Sequence, residues 1–170
     1  YLAKAEKIEM ADSLGFKSEE IPTIVYYYRL VDGIGNFLKR PVVKRAVQGM
    51  ESVAIVNEGL REFFHRYKDV RYVNGTLAKI AIFCSNIKTL EGIYSDVAAV
   101  VEEFGLNPAE TILKFHRGNK EFKAPEGAQL DFDSLDTEVS KKRVILLAEI
   151  GKEGWDCRSL AGVILSQKGS

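Results

Sequence analysis

Three short apolar runs in the second half of the chain constrain its fold strongly. They are Lys79–Cys84 (K-I-A-I-F-C), Val144–Ile150 (V-I-L-L-A-E-I) and Ala161–Leu165 (A-G-V-I-L). None alternates polar and apolar residues as a half-exposed strand does, so each is typical of a strand that is covered on both faces. Such strands occur mainly in parallel sheets with helices packed on both sides.

The segments between these runs predict helices and one further strand. Thr89–Phe104 places its apolar residues on one helical face and is followed by Gly105, a residue suited to ending a helix. Thr111–Phe115 predicts a strand, residues 118–129 a polar loop, and Ser134–Arg143 a short helix. Alternation of strands and helices at these lengths predicts an α/β fold with a parallel sheet flanked by helices.

The first 78 residues have a less regular pattern. Ala3–Leu14 is predicted to be helical, and Pro22–Val31 is predicted to be a strand. A second helix is indicated by a face that carries Val56, Leu60, Phe63, Phe64 and Tyr67. Asn74-Gly75 predicts a hairpin turn. We therefore expect a mixed helix/strand portion at 1–78, a linker or an insertion, ahead of the α/β portion at 79–170.

Composition excludes several classes of protein. The 24 basic and 24 acidic residues give a formal net charge of zero, which excludes a strongly basic protein but not a local phosphate-binding groove. Two cysteines exclude a disulfide scaffold, and with only two histidines there is no zinc-ligand spacing, so we expect no metal site. The apolar runs are far below the ~20 residues of a membrane span, and a cytoplasmic location is expected.

A compact turn after the run Val144–Ile150 carries the groups best suited to binding a ligand. It reads G-K-E-G-W-D from Gly151 to Asp156 and follows the carboxyl end of a predicted strand, where ligands bind in open α/β sheets. Its glycines allow close backbone approach, Lys152 suits a phosphate, and Asp156 accepts hydrogen bonds from hydroxyls. The alternative is a plain strand-end turn in which Trp155 fills the core.

Three segments together resemble the second RecA-like lobe of superfamily 2 helicases and translocases. Residues 144–165 resemble motif V, and the E-G-W-D form at Glu153–Asp156 is most similar to the helicase-like restriction subunit of type III restriction–modification enzymes. Lys79–Leu90 resembles motif IV, and Thr111–Gly118 resembles the strand and turn after the lobe's first helix. The resemblance covers residues 79–170, stops before motif VI, and implies a RecA-like sheet.

The resemblance also implies roles for individual residues. Asp156 would approach the ribose of ATP, and Gly154 would bring its backbone close to the nucleotide. Contacts with the nucleic-acid backbone would come from Ser85, Asn86, Lys88, Arg117, Lys152 and Glu153. Since these residues follow the carboxyl ends of parallel strands, we expect them and Asp156 along one edge of the sheet, and an Asp156 at the opposite edge from Ser85 would overturn the motor interpretation. For Ser85 and Asn86 the alternative is capping of the helix near Thr89.

The implied function is that of a fragment of an ATP-dependent DNA helicase or translocase. No catalytic or metal-ligating residue is expected in the chain itself, since the phosphate-binding G-x-x-x-x-G-K-[ST] pattern and the acid pair that holds Mg²⁺ belong to the family's first lobe. ATP and Mg²⁺ are the implied cofactors. The implied partners are DNA, contacted through its backbone, the first lobe of the same protein, and a modification (methyltransferase) subunit.

Two other functions stay open. One is a non-catalytic nucleic-acid-binding or scaffolding module that has the RecA-like fold. The other is a small-molecule enzyme that uses Asp156 and Lys152.

Overall fold

The computed structural model describes residues 6–8, 19–21, 52–72, 74–149 and 156–166. The chain divides into two compact units, residues 1–45 and 46–170. The described elements are β1 (Glu6–Ile8), β2 (Glu19–Ile21), α1 (Ser52–Tyr67), β3 (Lys79–Cys84), α2 (Ile87–Glu103), α3 (Pro108–Thr111), β4 (Ile112–Phe115), α4 (Ala128–Asp133), β5 (Val144–Ala148) and β6 (Leu160–Leu165).

In the first unit, the described residues form an antiparallel pair of short strands. β1 pairs with β2, and Glu6 lies opposite Ile21. The helix predicted over Ala3–Leu14 is therefore wrong at residues 6–8, where pairing with β2 overrides a weak local helix propensity. The strand predicted over Pro22–Val31 lies outside the described residues.

The second unit contains a four-stranded sheet in the order β4-β5-β3-β6, and every pairing in it is parallel. This confirms the predicted α/β class, with a parallel sheet of the RecA-like kind and a mixed helix/strand portion before it. In register, Ile80 of β3 pairs with Val144 of β5 and with Gly162 of β6. Because the strands are parallel, all four carboxyl ends lie at one edge of the sheet, which we call the carboxyl edge; the opposite edge is the amino edge.

Helices α1 and α2 cover one face of the sheet. The largest core cluster joins Leu60 of α1, Leu90 of α2 and Ile82 of β3, all fully buried. The α1 helix approaches β6 closely, because a Cβ placed on Gly59 would lie only 2.7 Å from Cδ1 of Ile164. The apolar faces predicted for both helices are thus the faces that pack on the sheet.

The other face is covered by α4 and the turns after it. Phe115 of β4 stacks on Phe132 of α4 with ring centroids 4.1 Å apart, and Leu135 is buried in the same cluster. The sequence predicted a loop over 118–129 and a helix over Ser134–Arg143, so this helix lies earlier than predicted. Ser134 and Thr137 explain the error, because both hydroxyls bond local backbone carbonyls and favour turns over helix.

The predicted hairpin turn at Asn74-Gly75 is confirmed. Tyr72 donates its amide to the carbonyl of Thr76 at 2.9 Å, and Arg71 and Leu77 form an antiparallel bridge. Gly75 has φ 81°, a left-handed conformation that favours glycine.

A buried arginine joins α1 to the amino edge of the sheet. Arg143 is 3% exposed, and its guanidinium donates hydrogen bonds to the carbonyls of Ala78 (2.7 Å), Lys68 (2.9 Å) and Tyr67 (2.7 Å). The last two carbonyls belong to the C-terminal end of α1, where helix carbonyls have no intrahelical partner. One side chain thus caps the helix and ties it to the start of β3.

Candidate functional site

The carboxyl edge collects polar residues from all four strands. Ser85 and Asn86 follow β3, Arg117 follows β4 by one residue, Glu149 follows β5, and Ser166 follows β6. Because only β5 separates β4 from β3, the exits of these two strands lie roughly 10 Å apart. The expectation that Ser85, Asn86, Lys88 and Arg117 share one edge is therefore confirmed.

At the exit of β3, the side chain of Asn86 caps α2. The Asn86 Oδ1 accepts the amide of Thr89 at 2.8 Å and its hydroxyl at 3.0 Å, and the Ser85 hydroxyl lies 3.1 Å from that of Thr89. Capping, the alternative stated above, accounts for Asn86, while within the described residues the Ser85 hydroxyl hydrogen-bonds only with side chains of the capped turn. The first amides of the helix, at Ile87 and Lys88, have no intrahelical acceptor and give this edge a partial positive charge.

At the exit of β4, a buried histidine holds the turn in place. The His116 side chain is fully buried, and its Nδ1 accepts the amide of Gly118 at 3.1 Å. Its Nε2 lies 3.4 Å from Oε1 of Glu91, whose carboxylate also pairs with Lys114 at 2.9 Å. His116 therefore fixes the backbone of the turn that carries Arg117.

Lys88 and Arg117 are two cations at the carboxyl edge that have no ion-pair partner among the described residues. Both are exposed, and neither takes part in an ion pair within the described part of the chain. In contrast, the side chains of Arg61, Arg66, Lys114, Lys141 and Lys142 each lie within ion-pair distance of a carboxylate. The carboxyl edge thus presents uncompensated positive charge.

The sequence analysis did not identify Glu149. The negative charge of its carboxylate reduces the positive potential of the carboxyl edge. Glu149 is exposed, directly follows β5, and has φ 62°, a backbone conformation that non-glycine residues rarely adopt. Its carboxylate comes between the exits of β4 and β3. Nothing in the sequence signalled the left-handed backbone at this position.

The predicted motif V residues are not brought to the carboxyl edge. Lys152, Glu153 and Gly154 lie outside the described residues. Asp156 is exposed and directly precedes Cys157, whose Sγ lies 3.6 Å from Oδ1 of Asp136. The amide of Lys79, the first residue of β3, donates to the carbonyl of Ser159 at 2.9 Å, so this stretch lies at the amino edge.

The position predicted for Asp156 is therefore wrong. The six residues of β3 span roughly 17 Å, and Ser85 and Asp156 lie near opposite ends of that length. The physical reason is the connection from β5 to β6. It must return from the carboxyl edge to the amino edge before β6 begins, and by Asp156 it has done so.

Asp136 organises the amino edge, a role that the sequence analysis missed. Its carboxylate accepts the amides of Arg158 (2.7 Å) and Ser159 (3.0 Å) and the hydroxyl of Ser159 (2.6 Å). Burial alone raises the pKa of Asp136, but these hydrogen bonds outweigh burial and hold the pKa below its ordinary value. Nearby, Lys79 is fully buried, and loss of solvation lowers its pKa to about 8.

Two absences within the described residues bear on the function. No group of three or more His, Cys, Asp or Glu side chains in the described ranges is arranged to hold a metal ion. None of the described helices is long and apolar enough to cross a membrane.

Comparisons of this chain with protein-family models, with curated proteins and with solved structures find no match.

Proposed function

We propose that this chain is a lobe with a RecA-like fold that binds nucleic acid, and that its nearest resemblance is to the second lobe of an ATP-dependent DNA helicase or translocase, the restriction subunit of type III restriction enzymes. The fold supports the proposal, because the described sheet is entirely parallel and collects the motif IV residues and Arg117 at one edge. Such an enzyme works in the cytoplasm, with DNA, the first lobe and a modification subunit as its partners.

The observation that carries the proposal is the pair of uncompensated cations at the carboxyl edge. Lys88 lies in the first turn of α2 and Arg117 follows β4; both are exposed at the same edge of the sheet, beside the positive end of α2. Lysine, arginine and helix amides are the groups that contact nucleic-acid phosphates without reading sequence. The lobe would therefore hold a nucleic-acid strand by its backbone.

A salt titration tests this function directly. A single strand gives a slope of about −0.7 in log affinity against log salt for each contacting cation, so Lys88 and Arg117 together predict at least a sevenfold loss between ~50 and ~200 mM salt. The measurement is anisotropy of a labelled single strand, compared across several base compositions. Sequence-selective binding that salt leaves unchanged would contradict the proposal.

The ATP contact implied by the resemblance does not fit the described residues. Asp156 lies at the amino edge, at the opposite edge from Ser85, and this is the arrangement that was expected to overturn a motor. Gly154 lies outside the described residues. No step that involves ATP is therefore assigned to this chain. In this proposal the Mg²⁺ ligands belong to the first lobe.

A second candidate function is favoured by this position of Asp156. It is the non-catalytic nucleic-acid-binding or scaffolding module with a RecA-like fold, which needs the carboxyl edge but no nucleotide contact. In the full-length protein, Asp156→Ala lowers ATP turnover if the motor is correct and leaves it unchanged if the module is correct.

The chain by itself is expected not to hydrolyse ATP. Phosphoryl transfer needs a phosphate cradle, an acid-held metal and a stabilising arginine, and the loss of such an arginine alone costs ~10³–10⁵ in rate. The measurement is phosphate release by the purified chain with Mg²⁺ and DNA. Robust release that disappears in Asp156→Ala would show that the chain is a complete ATPase.

A further inference from the structure

The loop after β4, residues 117–123, is built to a fixed shape. The Asn119 side chain accepts the amides of Glu121 (2.9 Å) and Phe122 (2.8 Å), and the Asn119 amide donates to the carbonyl of Phe122 at 2.7 Å. Phe122 packs against the main core cluster. Gly118 has φ 76°, and a Cβ there would lie 2.6 Å from the backbone nitrogen of Ala124. The loop that leaves the carboxyl edge at β4 therefore folds back tightly on itself.

This loop carries three exposed cations. Lys120 and Lys123 join Arg117 on it, and none of the three forms an ion pair within the described ranges. Glu121 is the only acidic residue between 117 and 123. With three cations against the one carboxylate of Glu121, the loop carries a net positive charge, and the exposed Glu149 after the neighbouring β5, also among the described residues, reduces the resulting potential without pairing with any of the three cations.

We propose that residues 117–123 are an anion-binding loop in which Lys120 and Lys123, together with Arg117, hold the phosphodiester backbone of a nucleic-acid strand. The inference rests on the proposed function and extends it by assigning two contacts that the motif resemblance does not include. With Lys88, the carboxyl edge then offers four cations to the strand.

The chemistry of the loop favours a phosphodiester backbone over an acidic peptide. None of the large apolar side chains exposed in the described residues lies on the loop; they are Val70, Leu130, Val139, Val163 and Leu165. A peptide would therefore find no apolar contact here. Cations without apolar neighbours, beside the amides of a helix N-terminus, match the requirements of phosphate groups.

The test measures how binding depends on salt in the full chain. The probe is a fluorescein-labelled oligothymidylate of about 15 nucleotides, followed by anisotropy between ~50 and ~200 mM salt. Four contacts predict a slope of log affinity against log salt near −2.8 for the unmodified chain. Lys88 and Arg117 alone predict a slope of about −1.4. The double variant Lys120→Gln/Lys123→Gln is expected to reduce the slope to about −1.4 and to lower affinity at ~50 mM salt by roughly tenfold for each lysine.

A matched control removes the same charge at the other edge. Lys68→Gln/Arg158→Gln also lowers the net charge by two by removing cations that are unpaired within the described residues, but both residues lie near the amino edge. The slope of log affinity against log salt and the affinity should therefore stay within about twofold of the original. Equal effects of the two double variants would overturn the inference and leave general charge attraction as the explanation.

A second variant tests the loop's shape rather than its charge. Gly118→Ala is expected to weaken binding, whereas Gly105→Ala, also at positive φ but with no atom within 4 Å of the added Cβ, should not. Thermal denaturation shows that each variant is folded at the assay temperature. Equal binding by the two glycine variants would contradict a fixed loop.

The remaining outcomes separate the two proposals. Binding of the strand with a slope near −1.4, unchanged by the double loop variant, overturns the inference and leaves the proposed function standing. No binding of the strand overturns both. Tighter binding of a labelled polyglutamate of equal charge, dependent on Lys120 and Lys123, assigns the loop to acidic peptides and also overturns the inference.

Discussion

Replacement of Arg143 by methionine is expected to lower the free energy of unfolding by about 4 kcal/mol. Methionine fills a similar volume, so the loss comes mainly from the three carbonyls that lose their donor, those of Ala78, Lys68 and Tyr67. Each buried carbonyl left unpaired costs about 1–3 kcal/mol, and entry of water recovers part of this. Arg143→Lys should lose roughly half as much, because an ammonium cannot reach three carbonyls in the geometry of a guanidinium.

The measurement is urea unfolding followed by circular dichroism. Arg158→Met is the matched control, since Arg158 also lies at the amino edge but is exposed, and its replacement should change stability by less than about 0.5 kcal/mol. A loss below about 1 kcal/mol in Arg143→Met would show that the junction between α1 and the sheet does not depend on this side chain.

Replacement of Asp136 by asparagine is expected to cost about 3 kcal/mol at pH 7. The aspartate carboxylate accepts three hydrogen bonds from Arg158 and Ser159, and the asparagine amide can replace only those that reach its oxygen. The NH₂ group of the asparagine would face a hydrogen-bond donor of the turn and could not accept from it. We expect the turn before β6 to loosen first, with β6 losing protection against hydrogen exchange. Asp133→Asn is the control, because Asp133 is exposed and accepts one side-chain hydrogen bond, from Gln129.

This cost should also depend on pH in a defined direction. The pKa of Asp136 is lowered from its ordinary value of 3.8, so the stability that its charge provides is present above that value and is lost as the pH falls through the lowered pKa. The difference in unfolding free energy between the original chain and Asp136→Asn should therefore be constant from pH 5 to 7 and shrink below about pH 4. A difference that grows on acidification would contradict this assignment.

The strands β3 and β5 could be predicted from the sequence because they are covered on both faces, whereas the same expectation for Ala161–Leu165 was wrong, since β6 is an edge strand that exposes Val163 and Leu165. The runs at Lys79–Cys84 and Val144–Ala148 are continuously apolar, and the helix between Ile87 and Glu103 has an apolar face and a capping residue. The position of the α4 helix was predicted wrongly because the helix has only six residues. At that length the residues that favour turns are the same as those that favour helix ends. β1 was missed because its strand conformation depends on pairing with β2 and not on the composition of residues 6–8.

The candidate site was predictable only where a residue directly follows a strand. Ser85 does so, Asn86 and Arg117 are each the second residue after a strand, and a parallel sheet then fixes their edge. Asp156 lies seven residues beyond Glu149, and nothing in the sequence says where along that connection the chain crosses the sheet. Asp136 had no signal either, because its importance comes from the amides of Arg158 and Ser159, which only the fold brings to it.

The central position of β3 has a consequence for the order in which the chain can fold during synthesis. Ile80 pairs with Val144 and Gly162, which lie 64 and 82 positions further along the chain. At about 5–20 residues per second, a ribosome needs roughly 4–16 s to supply the second of these neighbours. For the first 64 residues of that interval the apolar segment Lys79–Cys84 lacks both strands that later flank it, and until β6 is made it still lacks one of them, so it is exposed to other chains and to chaperones. Folding of this unit should therefore be a late, cooperative event that begins only after β6 has left the ribosome.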